Sequence, residues 1–159
     1  MKQEHLAKWL KIIITGVAVC IAIVYVYIIP HFGQEIIFRF PEYSQWYLPW
    51  LVFVSVTAIP IIIALVYCWQ VALEIGRENS FSYINAKSLK RISRLAFVDS
   101  VYFIVGNILM LILNMNHPGI LFLSLMVMFA GIAISVAAAA LSHLINKAAE
   151  IREENELTI

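Results

Sequence analysis

An all-α integral membrane four-helix bundle with both termini in the cytoplasm is what this sequence predicts. Three observations lead there: the composition, four long apolar runs, and the side of those runs on which the basic residues fall. Of 159 residues, 62% are hydrophobic and 13% charged, where a soluble domain carries roughly a quarter charged. The 11 Lys+Arg nearly cancel the 10 Asp+Glu, so net charge gives no reason to expect nucleic acid or an acidic substrate. Cys20 and Cys68 both sit inside apolar runs, where a thiol behaves as a small hydrophobe rather than as half of a disulfide framework.

The first run has no charged residue from Ile12 to Ile29 and, with Leu10 before it, gives a span of about 10–29, the roughly 20 residues a spanning helix needs. It is too long for a signal-peptide core, and Tyr27-Ile28-Ile29-Pro30-His31 offers no small-x-small cleavage site. The second span is set at 47–73 with Pro60 in its middle; a proline there kinks a bilayer helix without ending it. The third, 93–113, carries Asp99 and Asn107, and the fourth, 119–146, carries no charge. Between them Asn114-Met115-Asn116-His117-Pro118 is long enough only for an antiparallel helical hairpin. No repeat or linker interrupts the chain, so 1–159 reads as one domain, with a loop at 74–92 and a tail at 147–159.

Orientation comes from the loops, because Lys and Arg stay on the cytoplasmic side. Lys2, Lys8 and Lys11 precede the first span, Arg77, Lys87, Lys90, Arg91 and Arg94 join the second to the third, and Lys147 and Arg152 follow the fourth. Only Arg39 falls on the other side. That split places both termini inside and leaves an outer loop from Pro30 to Trp46. Tyr25, Tyr27, Trp46, Tyr47 and Trp50 then mark the outer interface and Trp9, Tyr67 and Trp69 the inner one.

Three groups of residues are candidates for function. Ser82 is placed to cap a short cytoplasmic helix leading into the third span, along which Lys87, Lys90, Arg91 and Arg94 follow i, i+3, i+4, i+7 spacing while Leu89, Ile92 and Ala96 take the opposite face. Such a face attracts anionic lipid, at about 1 kcal/mol per basic residue, or docks an acidic protein segment; beside a bilayer it is a poor reader of a DNA groove. Asp99 is the one ionisable group well within a span, which makes it a functional candidate, with Asn107 and His143 as polar companions. His143 and Lys147 on the fourth span and Gln70 on the second reach the depth of Asp99, and pairing with the fourth span is the expectation, since Arg91 and Arg94 lie off the i, i+4 ladder of Asp99. Finally, Gly131, Ser135 and Ala139 recur every four residues and form a smooth face, for packing inside the bundle or for a homo-oligomer seam. The fourth helix is expected to continue past the membrane on Leu141, Leu144, Ile145, Ala148 and Ile151, carrying Glu153 and Glu154 toward Lys90, Arg91 and Arg94.

No catalytic signature is present: no HExxH, no GxSxG, no phosphate-binding glycine loop, no Cys/His pair at metal spacing. No cofactor or metal is therefore expected. The stretch Gly76-Arg77-Glu78-Asn79-Ser80-Phe81-Ser82 leading to Asn85, the four-span layout, and the ending Arg152-Glu153-Glu154-Asn155-Glu156-Leu157-Thr158-Ile159 together resemble the bacterial family of multi-pass membrane proteins of unknown function DUF2975. The resemblance implies a plasma-membrane protein, often encoded beside a small helix-turn-helix regulator, with no established activity to carry over. The expectation is a non-enzymatic regulatory or interaction protein whose loop and tail meet a soluble partner. The alternative is a transport-related or immunity protein acting as an oligomer.

Overall fold

The computed structural model describes residues 3–115 and 117–157. Lys2, Asn116, Thr158 and Ile159, which entered the readings above, lie outside the described residues. The chain is all-helical, and its four long helical stretches, Gln3–Arg39, Pro41–Gly76, Tyr83–Ile112 and Pro118–Asn155, are each apolar and long enough to cross a membrane.

The first stretch corrects the expected outer loop. Helix α1 (Gln3–Ile23) passes through one π-helical turn (Val24–Ile28) into α2 (Ile29–Arg39), so Pro30 to Arg39 is helix. Proline has no N–H and its ring crowds the carbonyl four residues back. The wider π turn just before it, closed by the Ile29 N–H on the Val24 carbonyl, relieves that conflict without ending the helix. The break comes at Phe40, with φ −131° and ψ 77°, because it precedes Pro41 and is pushed out of the helical region. A 3-10 turn (Pro41–Trp46) then leads into α3 (Tyr47–Val56). Gly33 of α2 is buried where α3 comes close: a Cβ there would lie 2.7 Å from the Tyr47 ring and 2.9 Å from that of Trp50.

Pro60 interrupts the second stretch without ending it. One turn residue, Thr57, separates α3 from α4 (Ala58–Gly76), three residues before the proline that cannot donate to the Val56 carbonyl. Thr57 replaces the interrupted ladder with its own bonds, its N–H reaching the Val54 carbonyl at 3.1 Å and its hydroxyl at 2.6 Å. Beyond α4, Glu78 adopts a left-handed φ of 61° to turn the chain toward Ser82. The Ser82 side chain accepts from the Asn85 N–H and caps α5 (Tyr83–Ile112). The short helix and the third span are thus one helix of 30 residues, about 45 Å long. Asn114, with φ 54°, turns the chain into α6 (Pro118–Leu157), whose 40 residues extend about 60 Å. A helix of that length outruns a hydrocarbon core about 30 Å thick, as expected for the fourth helix.

The packing runs as a row in which contact is uneven, and at the far end of the first stretch Phe40 stacks on His117 at 4.5 Å. α1 packs on α4, α4 on α5 and, most extensively, α5 on α6; among the described residues no comparable packing joins α1 to α6. The reason for the uneven packing lies in the seams. Ala86, Leu89, Ser93, Ala96, Ser100 and Asn107 of α5 face α6 at steps of three, four and seven residues, against Ser124, Gly131, Ser135, Ala138, Ser142 and Ala149. Small residues at heptad spacing let two backbones approach closely over many turns. The outer face of α6 and most of α1 carry exposed Val, Ile, Leu and Phe instead, surface that lipid covers at no cost.

Candidate functional site

The polar groups of α5 and α6 concentrate on this seam. The hydroxyl of Ser135 donates to the Ser93 carbonyl at 2.9 Å and lies 3.3 Å from the Ser93 hydroxyl. Ser142 donates to the Ala86 carbonyl at 2.6 Å. A Cβ on Gly131 would fall on Ser100 Oγ. Gly131 and Ser135 are thus seam residues, whereas Ala139 is exposed and Ala138, 8% exposed, takes its expected place. A strict four-residue ladder drifts about 40° per step around a helix turning 100° per residue; alternation of three and four holds the face. Asn107, fully buried on the same stripe, donates to the Phe103 carbonyl at 2.8 Å.

Toward the termini the seam continues beyond the apolar run and fixes the start of α5. Asn85, 1% exposed, donates to the carbonyls of Asn79 and Ser80 at 3.2 and 3.0 Å, tying the preceding loop to the helix. Ala149 is buried opposite, and the Tyr83 hydroxyl donates to the Glu153 carboxylate at 3.0 Å. The tail does lie along α5, but Glu153 meets Tyr83 rather than Lys90, Arg91 or Arg94. The register that sets Ser135 against Ser93 and Ser142 against Ala86 carries Glu153 past the beginning of α5, about four turns from Lys90. Leu141, Leu144 and Ile151, expected to form the apolar edge, are exposed, and Ser142 and Ala149 replace them in the contact. The carboxylate holds the Tyr83 phenol above its ordinary value of 10.0, with further contributions from desolvation and from Glu150 and Glu154.

Lys87, Lys90, Arg91 and Arg94 are all exposed, on the side of α5 away from buried Leu89 and Ile92. Arg91 is engaged: its guanidinium lies 5.2 Å from the Tyr67 ring centroid and donates to the Tyr67 hydroxyl at 3.3 Å, bridging to α4. Lys87, Lys90 and Arg94 form a row in which no carboxylate pairs with them among the described residues. Chemically the arrangement is a cationic strip on a helix whose other face is bonded to α6.

Asp99 departs from expectation. It repeats at seven residues with Asn85, Ile92 and Gly106, and at Gly106 that stripe packs so closely on α3 that a Cβ would overlap the Phe53 ring. Asp99 therefore lies one stripe off Ser93 and Ser100, on the side where Gly106 meets α3, while His143 and Lys147 are exposed on α6. It is half-buried and has no hydrogen-bond or ion-pair partner among the described residues. Its charge is within electrostatic reach of Tyr25. Tyr25, at the π turn, shares a 2.6 Å hydrogen bond with Thr57 at the α3–α4 break. Sequence reading missed this pair, whose only signal was the matching distance of Tyr25 and Thr57 from the ends of their spans. It also missed the α5 stripe Ala86, Ser93, Ser100, Asn107, although its seven-residue repeat is visible in the letters.

Comparison with known proteins agrees with the membrane assignment. A family model described as a protein of unknown function, DUF2975, matches residues 32–159. The chain is also similar to the uncharacterized membrane protein YoaS of Bacillus subtilis (strain 168), at 30% identity over 155 residues that cover 95% of this chain and 96% of that protein. No solved structure matches.

Proposed function

This chain belongs to the DUF2975 family of membrane proteins of unknown function, and from that premise we propose that it is a non-enzymatic regulatory or interaction protein of the plasma membrane. Both termini and the α4–α5 loop face the cytoplasm, and the membrane-flanking part of the α5–α6 hairpin is the docking surface. The observation that carries this reading is the exposed row Lys87, Lys90 and Arg94 on a helix held from behind by the Ser135, Ser142 and Tyr83 bonds. A charged strip on a rigid support binds without first losing backbone freedom, which favours recognition of an acidic surface. The partner is a soluble protein with an acidic face, for which a helix-turn-helix regulator is a candidate, and anionic headgroups share the strip when the partner is absent. A pull-down of the full chain from native membranes tests the proposal. One defined protein recovered with the wild type and lost with Lys87→Glu/Lys90→Glu supports it; equal recovery with both contradicts it.

A second reading rests on Asp99, a half-buried carboxylate without a partner beside the Tyr25–Thr57 pair. Intramembrane acids of this kind mark ion or substrate pathways, and an oligomer would be needed to enclose one. A pH-dependent flux into vesicles that disappears in Asp99→Asn would favour transport over docking.

A further inference from the structure

The α1–α4 side of the row contains a groove of about 580 Å³ that the docking proposal does not use. Lys8, Lys11, Thr15, Ala18, Ala22 and Tyr25 succeed one another on α1 at steps of three and four, so they share one face. The small Ala18 and Ala22 hollow that face, while Ile62, Leu65 and Trp69 of α4 form the facing wall. The polar atoms along the groove are spent internally. Thr15 donates to the Lys11 carbonyl at 2.9 Å, and Tyr25 is bonded to Thr57. What remains is an apolar channel.

Its two ends differ. At one end the Tyr25–Thr57 bond closes the floor between the π turn and the helix break. At the other the Lys11 amine leans across to α4, 5.8 Å from the Trp69 ring centroid, and Lys8 stands exposed one turn before it. Neither lysine meets a carboxylate among the described residues. From Lys11 to Tyr25 is 14 residues, or about 21 Å, somewhat more than half of a hydrocarbon core about 30 Å thick. That length suits the acyl chain of one leaflet, and the cations lie at its headgroup end. An ammonium facing an aromatic ring still has N–H donors to give to an oxyanion.

From these features we propose that the α1–α4 groove is a binding site for an anionic phospholipid. One acyl chain lies over Ala18 and Ala22 down to Tyr25, and the phosphate is held by Lys11 and Lys8 beside Trp69. The charge complementarity at the mouth, absent from the rest of the lipid-facing surface of α1, separates this site from the general lipid shell. The inference does not rest on which side of the membrane the termini occupy, nor on the docking surface of α5 and α6.

Native mass spectrometry of the full chain in detergent tests it, with phosphatidylglycerol and phosphatidylcholine of identical chains as probes. The wild type should retain one phosphatidylglycerol in preference to phosphatidylcholine. Lys11→Gln should weaken phosphatidylglycerol about fivefold and Lys8→Gln/Lys11→Gln about thirtyfold, leaving phosphatidylcholine unchanged. Ala18→Leu/Ala22→Leu, which fills the groove and keeps the charge, should reduce retention of both lipids while the helical circular dichroism is preserved; should that variant fail to fold, the lysine pair decides alone. Equal binding of the two lipids, or undiminished phosphatidylglycerol on the lysine variants, overturns the proposal. Conversion of a dimer to a monomer by the groove-filling variant also overturns it, because a second copy of the chain would then be the occupant.

Discussion

The two halves of the row are built on different principles. The α5–α6 half is regular: two unbroken helices with small residues at heptad spacing, joined by serine hydroxyls to backbone carbonyls and continued beyond the apolar run. The α1–α4 half is irregular: a π turn at Val24–Ile28, a break at Thr57, and an apolar groove where the other half has a closed seam. In lipid, apolar surface gains nothing from meeting other apolar surface, so only close backbone approach and polar pairing hold helices together. The half that has both is closed and projects a rigid surface; the half with large side chains and prolines stays open to lipid.

Adding bulk in each half is the strongest way to break this comparison. Gly131→Leu drives a side chain into Ser100 across the seam and should destabilise the protein by about 1 to 3 kcal/mol, the usual cost of overpacking. Gly16→Leu meets open space on α1 and should stay within about 0.5 kcal/mol. Thermal unfolding in detergent, followed by circular dichroism, compares the two; equal losses would mean that the seam is no tighter than the open face.

Polar pairing gives a smaller contrast. Ser135→Ala removes the bond to the Ser93 carbonyl and should cost about 0.6 to 1.7 kcal/mol, the range for interhelical hydrogen bonds in bilayers. Tyr25→Phe removes a single hydroxyl pairing, and Thr57 keeps its own bond to Val54. A loss of about 0.6 kcal/mol or less is expected, read from the same unfolding curves. A larger loss at Tyr25 than at Ser135 would reverse the ranking of the two halves.

The subtlest effect is at the end of the tail. Because the Tyr83 pKa is raised in the docked state, the docked contact is fully present below the ordinary value of 10.0 and is lost as pH rises through the raised value, where phenolate and Glu153 repel. A spin label at Ile151→Cys should report an immobile tail at neutral pH that loosens above pH 10, and Tyr83→Phe should abolish that pH dependence.

Much of the architecture was legible because lipid imposes simple demands. Four runs such as Ile12–Ile29 and Gly119–Leu144 need no alignment to be recognised as spans, and Ser82 announced the start of α5 through its position before Tyr83. Pro30 misled because a proline that ends a soluble helix is absorbed here by a π turn. Ala139 misled because a four-residue ladder imitates a face that only alternating steps maintain. Depth alone left α4 and α6 both open for the partner of Asp99 and the choice fell on α6, whereas azimuth decides: the seven-residue repeat with Ile92 and Gly106 turns it the other way. The uneven packing was not legible, since composition tells how many helices cross and not which faces remain open.

The docking surface is useful to a soluble partner only if Lys87, Lys90 and Arg94 face the cytoplasm together with the tail. Thiol accessibility in intact cells measures this directly, with Lys147→Cys and His117→Cys placed in a background lacking Cys20 and Cys68. A membrane-impermeant reagent should label His117→Cys and leave Lys147→Cys unlabelled until the cells are opened. Labelling of Lys147→Cys in intact cells, with His117→Cys protected, would put the basic strip outside and contradict the proposed role.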